Sequence, residues 1–194
     1  MSRTFQKEKT KKLVGVALIT AIVVVLQFLG SFIHLGPFSV SLVLIPIVIG
    51  SSLYGKYYGA WFGFVFGAVV LLSGDAAFFL EYSVFWTIVI VMVKGTAAGL
   101  CAGLVYDFLK PKGELLATVV SAAVCPVVNT GIFLIGSYFF LLDAVKTLMG
   151  DSGTSVIAYM FVGLVGLNFI FELLFNLVLS PMIVRIIKMS GKIH

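Results

Sequence analysis

Apolar residues run continuously, not in alternation, through six stretches of this chain. Runs of this length predict helices that are buried all round or that cross a bilayer. They exclude a porin-like barrel, whose strands alternate. The predicted spans are residues 13–33, 39–54, 59–73, 85–109, 114–140 and 156–187. The separators carry the turn chemistry: HLGPF at His34–Phe38 with its Gly36 and Pro37, a tight loop at Gly55–Tyr58, GDAAFFLEYS at Gly74–Ser83, KPKG at Lys110–Gly113, and a polar loop at Leu141–Ser155. Pro46 is expected to kink the second span. Residues 1–12 read as a short basic tail. A basic tail before an apolar run is also the outline of a secretory signal peptide. The run Leu13–Ile33 is longer than a typical signal h-region, however, and no small-residue cleavage site follows it, so it reads as a retained first helix. The expectation is an all-α membrane protein, one integral domain over residues 1–194, built as a six-transmembrane-helix bundle.

The fourth span, Phe85–Lys110, breaks its own pattern. Lys94 stands well inside the apolar run, where a charge is costly and needs a reason. Gly95, Gly99 and Gly103 follow it at GxxxG spacing, which bares backbone along one helical face and lets a neighbouring helix approach closely. The third span has its own ladder, Gly59, Gly63 and Gly67.

Composition supports the membrane reading: of 194 residues, 61% are hydrophobic and 11% charged, and mean hydropathy is +1.18. No soluble domain of this size hides so much apolar surface. The net charge of +5 would fit nucleic acid in a soluble protein, but here its distribution sets topology. With a cytoplasmic N-terminus, eleven of the thirteen basic residues fall on the inner side, leaving Lys146 outside and Lys94 within the membrane. The positive-inside rule therefore puts both termini in the cytoplasm and removes the case for nucleic acid.

Few chemistries survive this frame. Gly50 to Lys56 matches GxxxxGK, but Tyr57 stands where a phosphate-binding loop needs Ser or Thr, and the match lies at a membrane hairpin. Cys101 and Cys125 sit in apolar segments as small core residues, and His34 and His194 are far apart, so neither a disulfide nor a metal site is supported and no cofactor is implied. No catalytic constellation emerges. What remains is buried polarity. Lys94, Asn129 and Asn168 lie about nine, eleven and twelve residues below the outer ends of their spans, roughly 13–18 Å deep at 1.5 Å per residue. Glu172 and Asn176 continue the face of Asn168. One reading is a polar pocket open to the outside, with Lys94 offering charge to an anionic group and the asparagines orienting it. The other is that Lys94 pairs with Glu172 and the asparagines bond across helices as packing glue. Asp75, Phe78, Glu81 and Trp86, with Phe79 and Tyr82, make a candidate aromatic lid, or an interfacial aromatic belt. In the first span only Thr20 and Gln27 are polar within the membrane, and Ala17 and Ala21 form a flat small-residue patch suited to a partner helix.

With these features together, the chain resembles the substrate-binding S component of energy-coupling factor (ECF) transporters, the vitamin importers of bacteria. The resemblance covers nearly the whole chain, and Ala17 and Ala21 match the family's AxxxA docking motif. It implies a multi-pass protein of the bacterial plasma membrane, not an enzyme, that captures a water-soluble vitamin outside. The S component then topples in the membrane and docks on a transmembrane coupling subunit with two ATPase subunits. The resemblance implies that helices four to six and the loops after helices one, three and five hold the vitamin. Lys94 favours a carboxylate-bearing vitamin such as pantothenate or folate. The competing expectations are a structural membrane protein of the rod-shape-determining type, which needs no polar pocket, and a secondary transporter, which usually needs internal repeats not seen here.

Overall fold

In the computed structural model, residues 2–32, 41–151 and 153–191 are described. The predicted turn at His34–Phe38 falls outside them. Every regular element among the described residues is helical: α1 (Ser2–Gly30), α2 (Leu44–Tyr54), α3 (Lys56–Leu72), α4 (Ala77–Tyr82), α5 (Val84–Leu109), α6 (Glu114–Phe140), α7 (Leu142–Met149), α8 (Val156–Tyr159) and α9 (Gly166–Gly191), with a 3₁₀ turn at Lys110–Lys112 and a π-helical stretch at Met160–Leu164.

Four segments are long and apolar enough to cross a bilayer: Glu8–Gly30, Val84–Lys112, Glu114–Phe140 and Gly166–Met189. Leu44–Tyr54 and Lys56–Leu72 are shorter apolar helices. The predicted set of six thus divides into four full-length candidates and two short helices that meet at Gly55. Gly55 alone separates α2 from α3, and its φ of 99° is a conformation that a side chain makes costly.

Several boundaries differ from expectation for physical reasons. The basic tail is not separate, because α1 begins at Ser2 and runs unbroken through the lysines. Pro46 does not kink the second span. The helix starts only at Leu44, so Pro46 occupies its first turn, where an amide N–H has no intrahelical partner to lose. The predicted loop 74–83 folds as α4, and most of 141–155 as the amphipathic α7. The sixth span is interrupted by its π-helical stretch before α9 begins at Gly166.

The two glycine ladders face each other. A Cβ at Gly63 would land on the carbonyl oxygen of Gly95, and one at Gly59 or Gly99 on the carbonyl oxygen of the other. At the lower end a Cβ on Gly103 would come within 2.5 Å of the Cα of Lys56. Bare backbone therefore meets bare backbone along the α3–α5 crossing, as small-residue spacing allows. Outside, large apolar side chains face away from the protein, among them Leu72 at 77% and Phe108 at 74% exposure. That inverts the surface of a soluble domain and fits a lipid surround.

Buried apolar side chains form two clusters. One joins Val23, Ile47, Phe62, Phe66, Ala98, Cys125 and Ile183 across α1, α2, α3, α5, α6 and α9. The other joins Phe79, Ile90, Phe133, Val145 and Leu164 where α4 and α7 cover the ends of α5 and α6. The candidate site lies between the two.

Candidate functional site

A cavity opens at the junction of the two clusters, and it is lined from both: Phe66, Val70 and Val91 come from the first, Phe79, Ile90 and Phe133 from the second. Its volume, taken as the space open to the centre of a water-sized sphere, is about 80 Å³. That is room for roughly six waters, or a small organic molecule.

Polar groups reach it from every side. Lys94 comes from α5, Asn129 and Thr130 from α6, Asn168 and Glu172 from α9, Asp75 from the turn between α3 and α4, Gln27 from α1, Thr87 from the start of α5, and Ser41 from the segment before α2. Five of the eight residues singled out for ligand binding in the sequence, Lys94, Asn129, Asn168, Glu172 and Asp75, thus line one cavity. Asn176 does not line it; it is buried and donates to the backbone carbonyl of Glu172 at 2.8 Å.

The lid residues divide. Phe79 lines the cavity, whereas Phe78, Glu81 and Trp86 do not. Phe78 packs on Phe79 and Tyr82. Trp86 stacks on Phe140 with ring centroids 3.7 Å apart, and Glu81 is exposed. A short helix explains the split, since only one stripe of α4 faces inward and Phe79 occupies it.

The carboxylates are held by neighbours, not by the lysine. Asp75 accepts at Oδ2 from Gln27 Nε2 at 2.6 Å and from Ser73 Oγ at 3.2 Å. Glu172 accepts at Oε1 from the backbone N–H of Ser41 at 3.0 Å. The charges of Glu172 and Asp75 reach Lys94, yet among the described residues no carboxylate oxygen stands within 4.0 Å of its nitrogen. Instead Nζ lies 5.1 Å from the ring centroid of Phe133 and 5.9 Å from that of Phe66, where the ring faces offer it a weaker electrostatic partner. The direct Lys94–Glu172 pair is therefore not formed. Asn129 is 5% exposed, and its Oδ1 accepts no hydrogen bond from the described residues, as is true of Oε1 of Gln27 at 1% exposure.

Gln27, Thr87, Thr130, Ser41 and Phe66 were not among the sequence candidates for ligand binding. Gln27 carried a signal, as one of only two polar residues in the membrane part of its span. The other, Thr20, accepts from Trp61 Nε1 at 3.2 Å. No comparable signal marks the threonines, because a Thr in a helix commonly satisfies itself on its own backbone, as Thr96 and Thr118 do here.

A second feature lies on α1. Ala17 and Ala21 are exposed and line a shallow apolar groove with Leu13, Val16, Thr20, Tyr57, Tyr58 and Trp61. The groove lies toward the N-terminal half of α1, away from Gln27. Among the described residues no group of three or more metal-ligating side chains gathers.

Comparison with known proteins bears on both features. The family model described as ECF transporter, substrate-specific component, matches residues 11–184, a range that takes in every residue lining the cavity and the groove. No curated protein matches the chain.

Proposed function

The chain belongs to the family of ECF transporter substrate-specific components, and on that premise we propose that the cavity is the binding site for a water-soluble vitamin carrying a carboxylate, which Lys94 receives. A family of this kind is a membrane-embedded, multi-pass transporter component that works with an ECF module. The observation that carries the reading is convergence. Lys94, Asp75, Asn129, Asn168 and Glu172 are spread over nearly a hundred residues of sequence and meet in one cavity walled by aromatics. A half-buried cation with no carboxylate oxygen within 4.0 Å among the described residues, and with ring faces beside it, has donors to give a ligand anion. The two amides supply orientation, and Phe66, Phe79 and Phe133 supply apolar contact.

In this reading the chain is a six-helix bundle in the bacterial plasma membrane with both termini cytoplasmic, and it does no chemistry on its cargo. Energy comes from partners: a transmembrane coupling subunit and two ATPase subunits. The groove of Ala17 and Ala21 is the docking face, because it is small-sided, exposed and flanked by aromatics.

The test is mass spectrometry of small molecules released by denaturing the protein after mild purification. A carboxylated vitamin at close to one per chain is the expected result. Nothing released, even after incubation with a vitamin mixture, overturns the reading and returns weight to a structural role. Docking is tested apart from binding. Ala17→Trp with Ala21→Trp should abolish co-purification with the ECF module and leave the released molecule in place; unchanged assembly removes the groove from the account.

A further inference from the structure

Three charged side chains share the cavity, one positive and two negative. In a space of about 80 Å³ walled by phenylalanines, opposite charges would ordinarily close on each other. Here they are kept apart. Gln27 and Ser73 both bond Oδ2 of Asp75, and the Ser41 N–H bonds Oε1 of Glu172. Asp75 is thereby held on Oδ2, and Glu172 is held by Ser41 through both its backbone N–H and its side chain. Asn129 and Gln27 add two buried amide oxygens that accept nothing from the described residues. A lone anion on Lys94 would leave the amide oxygens of Asn129 and Gln27 unanswered. A buried acceptor left unmet is costly, because it has lost its water and gained no donor.

Resting on the vitamin-binding reading above, we propose that the ligand is a small zwitterion: its anionic group meets Lys94, and a protonated nitrogen meets the carboxyl groups of Asp75 and Glu172 that line the same cavity. Such a molecule answers both signs at once and donates to the acceptors that face it. Size agrees. A cavity with room for roughly six waters suits a small ligand.

The experiment uses the full chain, purified in mild detergent and freed of bound molecules, with two matched sets of probes. One set is phenylalanine, 3-phenylpropanoate and phenethylamine; the other is β-alanine, propionate and ethylamine. Thermal stabilisation and calorimetric Kd are recorded for each. In at least one set the zwitterion should bind tenfold or more tightly than either single ion. Asp75→Asn should reduce that advantage over the anion to below threefold. Glu172→Gln reads the same effect from α9 if Asp75→Asn fails to fold. An anion that binds as tightly as its zwitterion overturns the proposal and leaves the carboxylate reading intact. Silence from all six probes overturns it too, and the molecule released from native protein then decides separately whether the vitamin reading stands.

Discussion

The two faces of α5 do opposite things with the same helix. Toward α3 it presents Gly95, Gly99 and Gly103, and the contact closes to backbone against backbone where Gly95 meets Gly63 and Gly99 meets Gly59. Toward α6 and α9 it presents Ile90, Val91 and Lys94, and the contact opens into a cavity lined by amides and carboxylates. The seam needs the absence of side chains; the cavity needs particular ones. The difference teaches that a membrane bundle cannot rely on apolar burial to hold its helices together, since lipid tails are as apolar as leucine. It closes where backbones can touch, and the rigidity of that closed side lets the other side keep charges in place without pairing them.

The comparison can be broken most severely at the seam. Gly63→Leu drives a branched side chain into the carbonyl of Gly95, and no folded, monodisperse protein should survive gel filtration in detergent. The matched control is Gly131→Ala on α6, where a new Cβ meets nothing within 4 Å. It should leave the melting temperature unchanged or raise it by the equivalent of about 0.5–1 kcal/mol. On the cavity face the same helix should tolerate change in fold but not in function. Lys94→Ala should weaken an anionic ligand by well over tenfold in calorimetry while the melting temperature without ligand stays near wild type or rises, since an unpaired intramembrane charge is removed. An unchanged Kd would make the lysine structural. The smallest effect is expected outside both faces: Glu81→Gln changes an exposed side chain off the cavity and should alter Kd by less than twofold.

The seam was almost wholly legible in the sequence, because glycine at four-residue spacing is a local signal and two ladders on successive long spans invite each other. The deep polar residues were legible for a related reason: Lys94, Asn129, Asn168 and Glu172 are anomalies against an apolar background. The lid was harder to read. GDAAFFLEYS has five aromatic or acidic candidates, and which of them turns inward depends on how α4 is seated, so of the candidate lid Asp75 and Phe79 line the cavity while Phe78, Glu81, Tyr82 and the nearby Trp86 do not. Ser41 reaches Glu172 through its backbone N–H, which every residue but proline has, as well as through its side chain, and one serine before a helix is a weak signal. Pro46 misled as a kink because its effect depends on where the helix starts, and boundaries are the weakest part of any reading from one sequence.

Gln27 and the Ala17–Ala21 patch stand on one unbroken helix, roughly 9–15 Å apart along its axis. One end of this rod holds Asp75 at the cavity; the other forms the wall of the exposed groove. A lever with a grip at each end makes the two events it touches thermodynamic partners. Whatever factor a docked protein applies to the affinity of the cavity, the molecule in the cavity must apply to docking. On the proposed reading, the hydrogen bond from Gln27 to Asp75 is where any such coupling would enter the cavity.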